Sequence, residues 1–182
     1  MAEVEAIPAA SVLLLRDDPM EVLMIRRPEK SSFAPDVWAF PGGGVEEEDE
    51  VAGDGILLNT MRVAAARELF EETGIQLVDL EKLVWTARWV TPAGLPKRFD
   101  TYFFLAKASR DVVATVENNE AVESVWITPS DALTHLKMVF PTIKNLEALR
   151  GFDSADALIA SRRGAEIKAI EPVLVNGRPE LR

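Results

Sequence analysis

The chain has 182 residues, with 20 basic and 30 acidic side chains and a formal net charge of −10. At 48% hydrophobic it holds ample material for a packed core, which excludes disorder along its whole length. Zero cysteines exclude disulfides, thiolate metal sites and cysteine nucleophiles, and one histidine, His135, argues against a histidine-built metal site or a Ser/His/Asp triad.

Residues 1–10 show no basic stretch followed by an apolar one, so no signal peptide is expected. The longest apolar runs fall far short of the ~20 residues of a membrane span. The lack of a signal peptide and of cysteines suits the cytoplasm. Residues 11–15 and 21–27 are apolar runs separated by Arg16-Asp17-Asp18-Pro19, which predicts a β-hairpin. Residues 37–40 have strand character and are stopped by Pro41 and a loop of Gly42, Gly43 and Gly44, followed by an exposed acidic loop over 45–55. Asn59 or Thr60 is positioned to cap a helix that runs to about Thr73 and ends at Gly74. Strands are predicted over 83–91, 99–107 and 123–128, then helices from Pro129, over 142–149 and over 155–163, and last an extended piece over 172–175 with a polar tail. This order predicts a mixed α/β (α+β) sandwich. Residues 1–182 are expected to form one domain, with a core over about 8–150 and a C-terminal helical extension and tail over about 151–182.

The chemistry concentrates in Arg67-Glu68-Leu69-Phe70-Glu71-Glu72-Thr73-Gly74. At 100° per residue, Glu68, Glu71 and Glu72 share an arc of about 100° on one helix face. Like charges at these spacings repel, and a divalent cation is the simplest way to offset that. Ala64 and Ala65 are expected to leave space above this face for a ligand, with Val63, Ala66 and Phe70 on the opposite, core-facing side. Arg67 can hold one of the acids through charge-assisted hydrogen bonds. All-oxygen ligation suits Mg²⁺ or Mn²⁺. Taken alone, such a helix also reads as a solvated, salt-bridged surface. The upstream glycines, Gly43 and Gly44, change that balance, because glycine lets the backbone approach a ligand or offer a carbonyl to a metal.

Strand, glycine loop, acidic stretch and Glu-bearing helix in this order resemble the Nudix hydrolases. Gly43 takes the place of the signature glycine, and residues 67–75 match the second half of the signature in full. The first half departs: Asp49 stands where the signature has Glu, and 17 residues separate it from Arg67, ten more than the signature allows. An insertion of this kind resembles the coenzyme A diphosphatase branch, as do residues 37–43, 87–92 and 98–104.

The resemblance implies a Nudix-type α/β/α sandwich around a mixed β-sheet, with extra C-terminal helices. It implies metal-dependent hydrolysis of a nucleoside diphosphate linked to another group, with a coenzyme A or acyl-CoA substrate favoured. ADP-ribose or a nucleotide sugar is the alternative within the enzyme class, and a non-catalytic Nudix-fold nucleotide sensor is the alternative outside it. Glu68 and Glu72 are implied as the leading metal ligands, with Glu71 sharing the cluster and Arg67 orienting them. Glu117, Glu120 and Glu123 are candidates for a proton acceptor from a later loop, Glu120 first among them. Arg27 and Arg88 are candidates to contact substrate phosphate, with surface ion pairing as the plainer role. Phe33 and Trp89 are candidates to stack on a base, or core aromatics. The expected partner is a small phosphorylated molecule, since an acidic surface repels nucleic acid. The C-terminal helices are packing elements or a homodimer surface, relatives in the family often being dimers.

Overall fold

The computed structural model of the chain describes residues 4–31, 34–53, 57–116 and 121–181. Its organising element is β1 (Ile7–Arg16), whose residues Ala9, Ala10 and Val12 to Leu15 are all buried. A run apolar on both faces belongs in the middle of a covered sheet, and β1 takes that place. It pairs in parallel with β6 (Phe99–Lys107), from Ile7 opposite Phe99 to Leu15 opposite Lys107. β5 (Val84–Val90) adds antiparallel to β6, and further along the chain β8 (Ala169–Ile170) adds in parallel to β5. On its other side β1 meets β2 (Glu21–Arg26) at Leu15–Val22 and Arg16–Glu21 and then diverges from it.

Into the gap between β1 and β2 runs the segment 38–44. β3 (Trp38–Ala39) pairs with the end of β2, and β4 (Gly42–Gly44) pairs with the start of β1. β7 (Glu123–Ile127) covers the outer edge of β2. The result is a mixed eight-stranded sheet. The glycine triplet was expected as a loop and is instead a strand. Its partner β1 offers backbone groups that the triplet can pair with, and sheet pairing does not need side chains.

Both faces of the sheet are covered. Leu13, Leu15, Phe103 and Leu105 pack with α2 (Pro129–His135), α3 (Phe140–Leu149) and α4 (Ala155–Arg162), through Ala132, Leu146, Leu149, Leu158 and Ile159. Val12, Leu14 and Phe104 pack on the other face with Met61, Ala64, Ala65 and Leu69 of α1 (Leu58–Thr73). This is the α/β/α sandwich that the family resemblance implies, within the mixed class that the order of elements predicts. The tail is more structured than expected, because β9 (Val173–Val175) and β10 (Arg178–Glu180) form a hairpin.

α1 ends as the sequence predicts, at a left-handed Gly74 whose N–H reaches the Phe70 carbonyl. Its start does not involve Asn59 or Thr60. Leu57 occupies the cap position, and Thr60 is buried with its hydroxyl accepting from the Val51 N–H at 3.0 Å. Its orientation also differs from expectation. Leu69 is 0% exposed and Phe70 53% exposed, so the core face centres on Met61, Ala64, Ala65 and Leu69; of the three residues expected there, Ala66 packs beside them, while Val63 and Phe70 do not. The expected arrangement set the carboxylates opposite the core. In fact Glu68 and Glu72 lie at the C-terminal end of the core-facing stripe, and the small Ala64 and Ala65 let the helix sit close to β1. Leu69→Ala should therefore cost about 2–5 kcal/mol, and Phe70→Ser less than about 0.5 kcal/mol. Urea unfolding of the two variants measures the difference, and equal losses would contradict this orientation.

Candidate active site

Arg67 is the hub of the site. Its Nε and Nη2 donate to the two carboxylate oxygens of Asp49 at 3.0 and 2.9 Å. Nη2 also donates to the Gly44 carbonyl at 2.9 Å, and Nη1 to Glu68 at 3.0 Å and Glu71 at 2.9 Å. The rigid guanidinium fork thus holds the glycine strand, the acidic loop and the helix together. Asp49, in a short 3₁₀ turn (Glu47–Asp49), is 2% exposed and also accepts the Glu46 N–H at 2.9 Å. Burial opposes its ionisation, but the hydrogen bonds from Arg67 and Glu46 outweigh burial and hold the carboxyl below its ordinary value. The same bond to Asp49, with Glu68 alongside, pushes the Arg67 guanidinium well above its own ordinary value against the opposing effect of burial. Much of the repulsion among the helix carboxylates is therefore offset by Arg67 itself.

The three helix glutamates part company. Glu71 turns outward to Arg67, with a side chain 43% exposed. Glu72 is 4% exposed and accepts the Gly42 N–H at 2.8 Å. Glu68 lies against Gly43, where a Cβ would overlap its carboxylate, and a Cβ on Gly42 would overlap Ser11 and the Ala10 carbonyl. Gly42 and Gly43 are thus required by close approach. α1 packs on one face of the sheet, and beside the side-chain-free strand its carboxylates reach a cleft on the other face.

That cleft has a volume of about 840 Å³ and is lined by Glu68, Glu72, Gly42, Gly43 and Gly44 together with Arg27. Its floor is the alternate-residue face of the sheet, Ile7, Ala9 and Ser11 from β1 with Phe99, Thr101 and Phe103 from β6. Arg27 follows β2 and donates to Ser31 at 2.9 Å. Arg88 is not among the lining residues. It points to the α1 side, bidentate on Asp100 at 2.9 and 2.7 Å and over the Tyr102 ring. Trp89, on the other face of the same strand, lines the cleft with its ring edge-on to Phe140. Glu123 pairs with Arg26 at 3.2 Å and does not line the cleft. Glu117, Glu120 and Phe33 lie outside the described residues.

Among the described residues no three His, Asp or Glu side chains converge as a complete ligand set. Two carboxylates and neighbouring carbonyls still suit Mg²⁺ or Mn²⁺. Such ions commonly take one or two protein carboxylates and complete their shell with water and substrate phosphate. The Gly44 carbonyl already accepts from Arg67. Lys97 and the C-terminal residues Pro172, Leu174 and Pro179 also line the cleft. They carried no signal in the sequence, because they reach the site only through strand pairing.

An α/β/α sandwich with a glycine strand abutting an Arg-Glu-x-x-Glu-Glu helix defines a Nudix fold. Residues 6–149 match the NUDIX domain model, and the chain belongs to that family. A Caenorhabditis elegans protein provisionally designated nudix hydrolase 7 is 28% identical over 159 residues, covering 69% of this chain and 52% of that protein. An acyl-coenzyme A diphosphatase of Xenopus laevis is 24% identical over 208 residues, covering 64% of this chain and 55% of that protein. The chain spans about half the length of these curated relatives. The solved NUDIX hydrolase from Alicyclobacillus acidocaldarius superposes with a TM-score of 0.80 at 26% identity, covering 87% of this chain and 97% of that one.

Removing Arg67 leaves Asp49 buried without its cation, so Arg67→Ala should destabilise the protein by on the order of 3–5 kcal/mol. Arg67→Lys should recover only part of that, because an ammonium cannot make five directed bonds. Chemical denaturation of both variants checks this. Asp49 also sets an acid limb. Its folded value is lowered, so the stability it contributes is present above its ordinary 3.8 and is lost as pH falls through the lower folded value. Melting temperature measured against pH should fall more gently on the acid side for Asp49→Asn than for the parent chain.

Proposed function

We propose that the chain hydrolyses a nucleoside diphosphate linked to another group, using Mg²⁺ or Mn²⁺ at Glu68 and Glu72. The observation that carries this reading is the pair of carboxylates braced by Arg67 and a glycine strand at the edge of a cleft large enough for a nucleotide derivative. A cation bound there neutralises phosphoryl oxygens and makes a water more acidic. The protein's own part is to hold Glu68 and Glu72 in place through Arg67 and Gly42, to keep backbone and substrate close at Gly43, and to position phosphate with Arg27. Glu71, tied to Arg67, is assigned an orienting role. Glu120 is our choice of proton acceptor. Its loop rejoins the fold at Val122, whose N–H donates to the carbonyl of Arg26, next to the cleft-lining Arg27. Arg88, paired with Asp100 away from the cleft, ranks below Arg27 as a phosphate contact.

A coenzyme A or acyl-CoA substrate is favoured over ADP-ribose. The ten-residue insertion between Asp49 and Arg67 and the acyl-coenzyme A diphosphatase relative both support this. No helix among the described residues is long and apolar enough to cross a membrane, and we place the activity in the cytoplasm. A homodimer is the assembly we expect.

The test is a panel of coenzyme A, octanoyl-CoA, ADP-ribose and a nucleotide sugar assayed with Mg²⁺ and with Mn²⁺. Coenzyme A derivatives should turn over fastest, and Glu72→Gln should lower kcat by about two orders of magnitude. Arg67→Lys should cost on the order of 10–100-fold through its effect on the ligands it holds. Binding to one member of the panel by calorimetry, with no product from any, would replace hydrolysis with nucleotide sensing.

A further inference from the structure

The part of the chain beyond the family-matched span, residues 150–182, builds one end of the cleft. β8 lies parallel to β5, with Arg88 opposite Ala169 and Trp89 opposite Ile170. The next residue, Glu171, accepts from Arg98 Nη2 at 2.6 Å. Arg98 is buried, and it also donates to the Thr91 carbonyl at 2.9 Å and to the Val4 carbonyl at 3.0 Å. One side chain therefore fastens the N-terminal segment, the β5–β6 connection and the C-terminal strap at a common point. From that anchor the chain enters the β9–β10 hairpin, and Pro172, Leu174, Gly177 and Pro179 line the cleft.

The strand register places this wall relative to the carboxylates. Gly42 is level with Ser11, while Phe99 is level with Ile7, four residues back toward the start of β1. At ~3.3 Å per residue the two ends lie about 13 Å apart. Leu95, Pro92 and Phe99 share the far end with the strap. The cation there is Lys97, whose ammonium lies 5.2 Å from the centre of the Phe99 ring. Leucine and proline side chains offer hydrocarbon no directed hydrogen bonds but remove it from water, whereas a sugar needs polar partners. Leu174 is 37% exposed, which leaves apolar surface available on the cleft side of a short hairpin.

We infer that the strap reads the group carried on the diphosphate as hydrocarbon, an acyl or alkyl chain hung from a linker, and that Leu174 sets that preference. This rests on the hydrolase reading for the identity of the diphosphate but not for the binding it predicts.

Calorimetric titration of the full-length protein with coenzyme A and with octanoyl-CoA, in chelator so that no turnover intervenes, tests it directly. Each buried methylene is worth about fourfold in affinity. Octanoyl-CoA should therefore bind at least about tenfold more tightly than coenzyme A, with Leu174→Asp removing most of that advantage and Leu174→Ala part of it. Val175→Asp, in the same hairpin but not lining the cleft, should keep the advantage and controls for disturbed folding. Equal affinity for the two ligands, or an advantage indifferent to Leu174→Asp, would overturn the inference. Full discrimination in binding together with no hydrolysis under Mg²⁺ or Mn²⁺ would support the strap and strike only the hydrolase reading.

Discussion

Five hydrogen bonds from Arg67 join three parts of the chain at one side chain: Asp49 in the acidic loop, Gly44 in the glycine strand, and Glu68 and Glu71 on the helix. A guanidinium has five N–H donors in one plane, and here each is committed. The energetic logic is that of a buried ion pair, in which desolvation is tolerated because every donor and acceptor is matched. The geometric consequence matters more for function. With Glu68 and Glu71 drawn toward Arg67 and Glu72 drawn toward Gly42, each carboxylate is held in place by a partner of the protein's own. Side chains so held have less conformational freedom left to lose, which lowers the ordering cost of any ligand they meet.

The glycine strand is the complementary half of that arrangement. β1 and β2 separate after a short stretch of pairing, and the segment 38–44 fills the gap by pairing with β2 first and with β1 afterwards. A strand so placed would ordinarily set side chains between the helix and the cleft. Gly43 leaves that space to the carboxylate of Glu68, and Gly42, pressed against Ser11 and Ala10, turns its N–H to Glu72. The helix can then belong to the core on one face of the sheet while its charged end serves the other face. This also explains why small residues recur at 64 and 65, where the helix must lie close to the sheet for those carboxylates to reach past it.

Periodicity and turn residues were enough to read most elements and the sandwich class. They failed where a rule about isolated elements met a tertiary constraint. The helix orientation could not be read because Glu68 and Glu72 occupy positions that ordinarily hold apolar side chains, and polarity alone assigns such positions to solvent. The glycine triplet looked like a loop because glycine is a poor strand former unless a neighbour needs the space. Arg67, Glu68 and Glu72 were legible as a group because they sit in one compact helical motif, and Gly43 because a glycine triplet follows a strand upstream of it. Lys97, Leu174 and Pro179 were not, since nothing local marks a residue brought to a cleft by the β5–β6 connection or by the pairing of β8 with β5. Arg27 and Arg88 looked equivalent as basic residues in or beside strands. Only the alternation of β5, which turns Arg88 to Asp100 and Trp89 to the cleft, separates them.

The ten extra residues between Asp49 and Arg67 bear on what the first half of the motif is for. If Asp49 had to stand at a fixed separation from the helix glutamates along the chain, an insertion there would abolish the site. Asp49 does not face the cleft at all. It is buried under Arg67 and capped by the Glu46 N–H, so its requirement is to reach a guanidinium, and a longer loop meets that as well as a short one. Doubling a loop costs only about 0.6 kcal/mol in closure entropy, and the Thr60 hydroxyl accepting from Val51 gives the returning chain a fixed point beside the helix. Aspartate, one methylene shorter than glutamate, suits a partner that comes to meet it. Tolerance of the insertion therefore follows from dividing the acids into two jobs, one that braces the arginine and one that faces the cleft, with sequence spacing strict only within the helix that carries the second.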